Sequence, residues 1–270
     1  MSPIGVIGGS GLYEFLTGAE PRAVDTPYGP HSPGLTQGVI AGRDVVFVPR
    51  HGRGHTLPPH RVNYRANLWA LRRLGVEQVL APCAVGSLQP SIPPGSFVVP
   101  DQLVDRTTGR FQSFVERGAV HVSFADPYCV DGRATLLSVG RAAGIDLVDG
   151  ATMVVVEGPR FSTRAESQSY AEQGWSLINM TGLPEAALAR ELAMCYTAVG
   201  LVTDHDAGIA PAEAVTQAGA FAVFKANVDR LRGLLELAIQ ALPTERTCSC
   251  PQALDGLEPS YLPGDPNVTT

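Results

Sequence analysis

The chain has 270 residues, of which 44% are hydrophobic and 17% are charged, a size and composition that suit one large globular domain or two small ones. A net charge of −6 and a pI near 5.5 argue against a nucleic-acid partner, because phosphate backbones attract basic surfaces. No apolar run reaches the roughly 18 residues of a membrane-spanning helix, and the N-terminus lacks the features of a secretion signal. The five cysteines are widely spread, which favours a reducing, cytoplasmic location over a disulfide framework.

Apolar runs rich in Val, Leu and Ile predict strands that are buried on both faces, as in a sheet covered by helices. These strands are residues 4–7, 45–48, 79–81, 153–156, 176–179 and 197–202. Four helices are predicted. The first covers residues 63–74, and the second begins with the capping box Thr163-Arg-Ala-Glu166 and ends near Gly174. The third has Pro184 at its first position, and the fourth is a long amphipathic helix over about 212–242. This order of elements predicts an α/β fold with no linker that divides residues 1–245.

Small or polar residues follow each predicted strand. The segments are Gly8-Gly9-Ser10-Gly11, Arg50-His51-Gly52, residues 83–87, residues 157–162, Asn179-Met180-Thr181 and Thr203-Asp204-His205-Asp206. Ligands of open α/β sheets bind in the crevice at the carboxyl ends of the strands. We therefore expect these six segments to converge on one pocket.

The glycine-rich opening loop has the wrong spacing for a dinucleotide-binding fold, because Glu14 stands where the third glycine of G-x-G-x-x-G belongs. A phosphate site is the better interpretation. The loop leaves backbone N–H groups uncovered, and Ser10 adds a hydroxyl donor. Arg50 offers a planar fork that matches two oxyanion oxygens, with His51 beside it.

Asp204 and Asp206 form a D-x-D pair after an apolar strand. This spacing suits a divalent metal, a cradle of hydrogen bonds, or a helix cap followed by a turn. If Asp204 is desolvated its pKa rises, which would suit a general acid, and an aspartate can also accept a hydrogen bond from an exocyclic amino group. The residues alone leave these alternatives open.

Several motifs together resemble the trimeric purine nucleoside phosphorylases, above all their branch of 5′-methylthioadenosine phosphorylases. They are GVIGGSGLYEF, PRHGRGHTLPPHRVNYRANLWAL, AVGSL, DQLVDRTTGR, EGPRFSTRAES, NMTGLPEAALAREL and TDHDAG. The resemblance extends in order from about residue 4 to 247. We therefore expect a nucleoside phosphorylase domain over residues 1–247 and a Pro/Gly-rich C-terminal tail over residues 248–270.

The resemblance implies a single α/β domain with a mixed, twisted central sheet flanked by helices, assembled as a homotrimer with sites at the subunit boundaries. It implies a pentosyltransferase that cleaves 5′-methylthioadenosine with phosphate, giving adenine and 5-methylthioribose 1-phosphate for purine salvage and methionine recycling. No metal or organic cofactor is expected, and no nucleic-acid or membrane partner. The alternatives are a phosphorylase for adenosine, inosine or another 5′-substituted nucleoside, a phosphate-independent nucleosidase, and a sensor without activity.

The same resemblance implies roles for individual residues. The phosphate-binding positions are Ser10, Arg50, His51, Ala84 and Thr181. Phe161 and Met180 would line the base and ribose. Asp204 would be the catalytic residue facing purine N7, Asp206 would assist recognition of the 6-amino group, and His121 would reach across the trimer interface towards the 5′ substituent.

Two parts of the sequence depart from the family pattern. Cys83 stands where the family often has Thr, so one hydroxyl donor to phosphate is replaced by a weaker thiol. The tail is expected to be mobile or to pack on a neighbouring subunit, and its Cys248-Ser-Cys250 lacks a second pair to complete a zinc site, which leaves two ordinary cysteines or a local disulfide. The wall of the 5′ pocket is expected to include Val215, Ala218 and Ala222.

Overall fold

Strands and helices alternate along the computed structural model, which describes residues 1–9, 11–12, 15–16, 18–207 and 215–263. The strands within these ranges are β1 (Ile4–Gly8), β2 (Glu20–Pro21), β3 (Thr36–Ile40), β4 (Arg43–Pro49), β5 (Gln78–Ser87), β6 (Phe97–Val99), β7 (Gln102–Arg106), β8 (Leu147–Asp149), β9 (Thr152–Val156), β10 (Leu177–Asn179) and β11 (Cys195–Asp204). The helices are α1 (Tyr64–Arg73), α2 (Val130–Ala142), α3 (Arg164–Glu172), α4 (Gly182–Glu191) and α5 (Gln217–Ala241), with 3-10 turns at Pro59–Arg61 and Cys250–Leu254.

The strands form one mixed sheet built around β5. One edge of β5 pairs in parallel with β1 and then antiparallel with β10, whereas the other edge pairs in parallel with β11. Beyond β1 lie β4, β3 and β2, and beyond β10 lie β9 and β7. The strands β6 and β8 extend the sheet from β11. This mixed sheet with flanking helices confirms the expected fold class.

Alternate residues of the strands enter two separate cores, one on each face of the sheet. On one face Ile7 packs in a cluster that includes Leu68 of α1 and Leu188 of α4. On the other face Val6 packs in a cluster that includes Leu136 of α2 and Leu231 of α5. Both faces are therefore covered, which is why the strand sequences are apolar throughout rather than alternating. Within the described ranges, no helix has both the length and the apolar character needed to cross a bilayer.

All six predicted strands are present, with β5 and β11 longer than expected at ten residues each. The capping box of α3 is confirmed, because Thr163 and Glu166 each accept a hydrogen bond from the backbone N–H of the other. Leu183 has an extended backbone, so the regular part of α4 begins at Pro184. The predicted start of the last helix, residues 212–214, lies outside the described residues. The sequence interpretation missed α2 and five strands of two to five residues.

The described part of the C-terminal tail packs on its own chain. The indole N–H of Trp69 donates to the Tyr261 carbonyl at 3.2 Å, and the Tyr261 hydroxyl donates to the Glu191 carbonyl at 3.0 Å. The Tyr261 ring stacks on Phe114 with centroids 5.6 Å apart. The expectation of a mobile or neighbour-bound arm is therefore wrong for residues 248–263, because buried aromatic contacts and hydrogen bonds hold them in place.

Candidate active site

The carboxyl ends of the central strands surround one cavity of about 390 Å³. Its wall is formed by the residues that follow β1, β4, β9 and β10, by the later parts of β5 and β11, and by the first turns of α5. Eight of the ten predicted site residues line it, namely Arg50, His51, Ala84, Phe161, Met180, Thr181, Asp204 and Asp206. The expected convergence of strand termini is observed.

Arg50 is held by a buried carboxylate at one end of this cavity. Its Nε and Nη2 both donate to Glu185, and the side chains of the two residues are only 2% and 1% exposed. Nη2 also donates to the Ile7 carbonyl at 3.2 Å, and the Tyr196 hydroxyl donates to Glu185 Oε2 at 2.8 Å. Burial disfavours the charge on Arg50, but Glu185 outweighs burial and keeps the arginine pKa above its ordinary value.

One guanidinium nitrogen of Arg50, Nη1, is not used in the ion pair with Glu185. Nη1 lies beside the glycine loop, because a Cβ added to Gly9 would sit 3.7 Å from it. Across the cavity Thr181 Oγ1 accepts a bond from Asn179 Nδ2 at 3.4 Å, so its own hydroxyl proton is available to a ligand. Since Glu185 neutralises Arg50, an anion here would be held mainly by directed donors rather than by net charge.

His51 is neutral in this site. Its Nδ1 lies 2.8 Å from the Leu57 carbonyl, and a carbonyl can only accept, so Nδ1 carries the proton. Burial, and then the neighbouring Arg50 charge, lower the pKa of His51 to about 3. The ring stacks on His55 with centroids 4.3 Å apart. A neutral imidazole with Nδ1 protonated presents Nε2 as a hydrogen-bond acceptor.

Asp204, the last residue of β11, is a half-buried carboxyl group on the cavity wall. It accepts hydrogen bonds from the Thr203 hydroxyl at 2.7 Å and the Asp206 N–H at 2.9 Å. Burial raises the pKa of Asp204, and these two donors oppose the rise without cancelling it. The pairing partner on β5 is Gly86, where an added Cβ would lie 2.9 Å from Asp204 Oδ1. Only glycine therefore lets the carboxylate approach β5 this closely.

Asp206 is turned into the protein by a backbone with φ of 49° and is only 3% exposed. The hydroxyl of Ser167, on α3, donates to its Oδ2. The D-x-D spacing thus places both aspartates in the wall of one cavity, and the Asp206 N–H links them by its hydrogen bond to Asp204. Asp206 itself lies in a turn.

The remaining predictions concern Ser10, His121 and the start of the last helix. Ser10 lies outside the described residues. His121 is exposed and does not line the cavity of this chain, so its reach into a neighbouring subunit stays a prediction. The beginning of the last helix does line the cavity, but through Gln217, Ala220, Phe221 and Phe224. Val215, Ala218 and Ala222 do not line the cavity of this chain, so their place in the 5′ pocket stays a prediction.

Cys83 lines the cavity as a protonated thiol. It is buried, its Sγ lies 3.8 Å from the Val199 carbonyl, and burial raises its pKa to about 12. Such a thiol is a weak donor and a poor nucleophile, because the thiolate is the reactive form.

The sequence interpretation missed residues that hold the predicted ones. Glu185 orients Arg50, Ser167 holds Asp206, and Asn179 Oδ1 accepts from the N–H groups of both Thr181 and Gly182 at 2.6 Å. Glu185 carried a signal, since it is an acidic residue inside the otherwise apolar start of α4. Ser167 carried none, because it lies on a polar stretch of α3.

The fold and the site together define a class of protein. It is an α/β enzyme with a mixed sheet, and its cavity combines an anion-binding end with a protonatable carboxyl group. The phosphorylase superfamily model matches residues 3–240. The purine nucleoside phosphorylase of Streptomyces coelicolor is 57% identical over 95% of both chains, and the S-methyl-5′-thioadenosine phosphorylase of Mycolicibacterium smegmatis is 56% identical over 91% of this chain and 93% of its own. The solved methylthioadenosine phosphorylase of Schistosoma mansoni in complex with adenine superposes with a TM-score of 0.86 at 35% identity, over 91% of this chain and 93% of that one.

The chain belongs to the phosphorylase superfamily. The predictions of an enzyme and of a pentosyltransferase of the nucleoside phosphorylase type are confirmed.

Proposed function

We propose that the protein cleaves 5′-methylthioadenosine with phosphate, releasing adenine and 5-methylthioribose 1-phosphate. The observation that carries this proposal is the presence, in one cavity, of an oriented buried arginine and a carboxyl group with a raised pKa. Phosphorolysis needs both, because an anion must be held at one face of the sugar while a base departs from the other. The relative from Mycolicibacterium smegmatis carries the name of this activity.

In this reaction the C1′–N9 bond breaks and its electron pair moves into the purine. Asp204 donates a proton to N7 and so relieves the negative charge on the leaving base. A phosphate oxygen forms the new bond to C1′, held by Arg50 Nη1, the Thr181 hydroxyl and the glycine loop. The phosphate hydroxyl, bound by His51 Nε2, loses its proton to the solvent, and the solvent returns one proton to Asp204 after adenine leaves, so that no net proton is released.

Adenine is favoured over a 6-oxopurine by Asp206. Its carboxylate is fixed by Ser167 and can accept a hydrogen bond from an exocyclic amino group, whereas it has no proton to offer a carbonyl. A 6-oxopurine would place two acceptors against each other in a buried site.

A methylthio group at the 5′ position suits the part of the cavity formed by α5. Phe221 lines the cavity yet is 41% exposed, and Ala220 and the buried Phe224 lie next to it. An apolar substituent would cover the Phe221 ring, whereas a hydroxyl would need a polar partner there. This contrast favours methylthioadenosine over adenosine.

We further propose a cytoplasmic homotrimer that requires no metal or organic cofactor for catalysis. The exposed side chain of His121 is then available to complete the 5′ pocket of a neighbouring subunit. Light scattering measures the mass of the assembly. An active monomer would rule out this role for His121.

The test of the proposed function is adenine release from 5′-methylthioadenosine with and without phosphate, compared with adenosine and inosine. We expect cleavage only with phosphate, fastest for methylthioadenosine, and none of inosine. Phosphate-independent cleavage would identify a nucleosidase and contradict the role of Arg50. Cleavage of inosine would contradict the role of Asp206 and match the broader name of the Streptomyces relative.

A further inference from the structure

Four buried cysteines meet at the end of the sheet opposite the cavity. Cys129, Cys195, Cys248 and Cys250 place their sulfur atoms within 4.8 Å of one another. The expectation that Cys248 and Cys250 lack a second pair is therefore wrong, since Cys129 and Cys195 supply it. Sequence spacing could not reveal this, because Cys129 and Cys195 are joined only through the fold.

The backbone positions the four residues independently of their sulfur atoms. The Cys129 N–H donates to the Tyr196 carbonyl at 2.8 Å, which places Cys129 beside the start of β11. The Cys195 N–H donates to the Glu77 carbonyl at 2.9 Å. The segment before Cys248 is fixed by the Thr247 hydroxyl, which donates to Asp131 Oδ2 at 2.9 Å. The cluster is thus built from three parts of the chain, each anchored by its own hydrogen bonds.

The separations match a tetrahedral set of sulfur ligands. Cys248 Sγ lies 3.6 Å from Cys129 Sγ and 3.4 Å from Cys195 Sγ. Two thiolates on one zinc ion at about 2.3 Å are separated by roughly 3.8 Å when the geometry is tetrahedral. A small movement of the side chains would admit the ion at the centre.

Zinc binds sulfur as the thiolate, so an ion at this cluster would displace the protons of the four thiols. Cys129 is the residue that precedes the first turn of α2, where the helix dipole stabilises negative charge.

We propose that Cys129, Cys195, Cys248 and Cys250 bind one Zn²⁺ ion as a structural site. Four protein sulfurs fill a tetrahedral ion completely and leave no position for substrate, which distinguishes a structural zinc from a catalytic one. The ion would join the C-terminal segment to the amino ends of α2 and β11.

The site is independent of catalysis. Cys195 and Asp204 are the two ends of β11, and ten residues of strand span about 30 Å. Loss of the ion should therefore reduce stability while folded protein keeps its turnover.

The experiment combines elemental analysis with a thiol count on the unaltered protein, purified without chelator. We expect about one zinc per chain, with all five cysteines titrating as free thiols after denaturation in chelator. Replacement of the metal by Co²⁺ should give the visible bands of tetrahedral sulfur coordination. The double variant Cys248→Ser/Cys250→Ser should lose the zinc and melt several degrees lower, whereas Cys83→Ser should keep the zinc.

Each other outcome overturns the proposal. A single free thiol would show two disulfides instead of a metal site, and bound iron would contradict the choice of zinc. Five free thiols in protein that neither contains zinc nor takes it up from a competing indicator would show an empty, non-binding cluster. If the double variant does not fold, the zinc content and thiol count of the unaltered protein still decide the question.

Discussion

β11 ends in two regions that are both rich in titratable groups but are held in different ways. At the carboxyl end, Asp204 accepts hydrogen bonds from a hydroxyl and an N–H, Asp206 accepts one from a second hydroxyl, and Arg50 is paired to Glu185. At the amino end, four cysteines lie against one another with few other polar partners. The first region is arranged to receive a ligand in an open cavity. The second is enclosed, and its contacts serve the folded chain itself.

This contrast predicts different effects for substitutions in the two regions. A change at the cavity end should alter turnover or ligand affinity more than folding, except where it uncovers a buried charge. A change at the cysteine end should alter stability alone.

The largest effect is expected for Asp204→Ala. Loss of the proton donor to the leaving base should lower kcat by roughly 10²–10⁴-fold. Adenine release under saturating phosphate measures this, and circular dichroism together with light scattering checks that fold and assembly are retained. Turnover close to that of the unaltered protein would remove Asp204 from the chemistry and erase the functional difference between the two ends of β11.

Glu185→Gln should reduce both stability and phosphate affinity. The substitution leaves a buried arginine without its counter-charge, which costs about 3–5 kcal/mol of unfolding free energy. Urea unfolding measures this loss, and the KM for phosphate should rise because Arg50 is no longer oriented. The matched control is Tyr196→Phe, which removes one hydrogen bond to Glu185 and should cost only about 1 kcal/mol. Equal losses in the two variants would mean that the ion pair contributes nothing of its own.

Gly86→Ala tests how closely Asp204 must approach β5. The added Cβ would lie 2.9 Å from Asp204 Oδ1 and 2.8 Å from Ile178 Cγ2, so the carboxylate must move. We expect kcat to fall by roughly ten- to a hundredfold, since small displacements of reacting groups are costly. The control is Gly233→Ala on α5, where the new methyl meets no atom within 4 Å. That variant should keep full activity and gain up to about 1 kcal/mol of stability.

The smallest effect is a pH dependence that arises from His51. Its pKa falls from 6.5 to about 3 on folding, so below pH 6.5 the unfolded chain takes up a proton that the folded chain refuses. The contribution of His51 should lower the unfolding free energy by about 2 kcal/mol between pH 7 and pH 5. Urea unfolding at both pH values, with His51→Gln as the control, isolates this contribution. The same slope in the control would assign the effect to other groups.

Much of the cavity could be predicted because its residues follow their strands directly. Arg50 follows β4 and Asp204 ends β11, and parallel strands deliver such residues to one edge of the sheet. Thr181 also lies within two residues of a buried strand, but that strand, β10, runs antiparallel to β5. The supporting residues could not be found in this way. Glu185 and Ser167 lie on helices and meet their partners only after α3 and α4 pack on the sheet.

The cysteine cluster and the short strands were hidden for a related reason. Cys129 and Cys248 are 119 residues apart, and no local pattern connects them. The strand β8 has three residues, and its last one, Asp149, is exposed, so its apolar content gives little signal. Such features depend on pairing across the fold rather than on the sequence around them.

The central position of β5 also has a consequence for the order in which the molecule can form during synthesis. β5 is synthesised early, but its partners β10 and β11 follow about a hundred residues later. The hydrogen bond of Trp69 forms only after Tyr261, 192 positions further along the chain, has been synthesised. Until then an apolar strand edge and the surface of α1 stay open to other chains. We expect the nascent chain to depend on chaperones that cover the open edge of β5 and the surface of α1 until the last residues are synthesised.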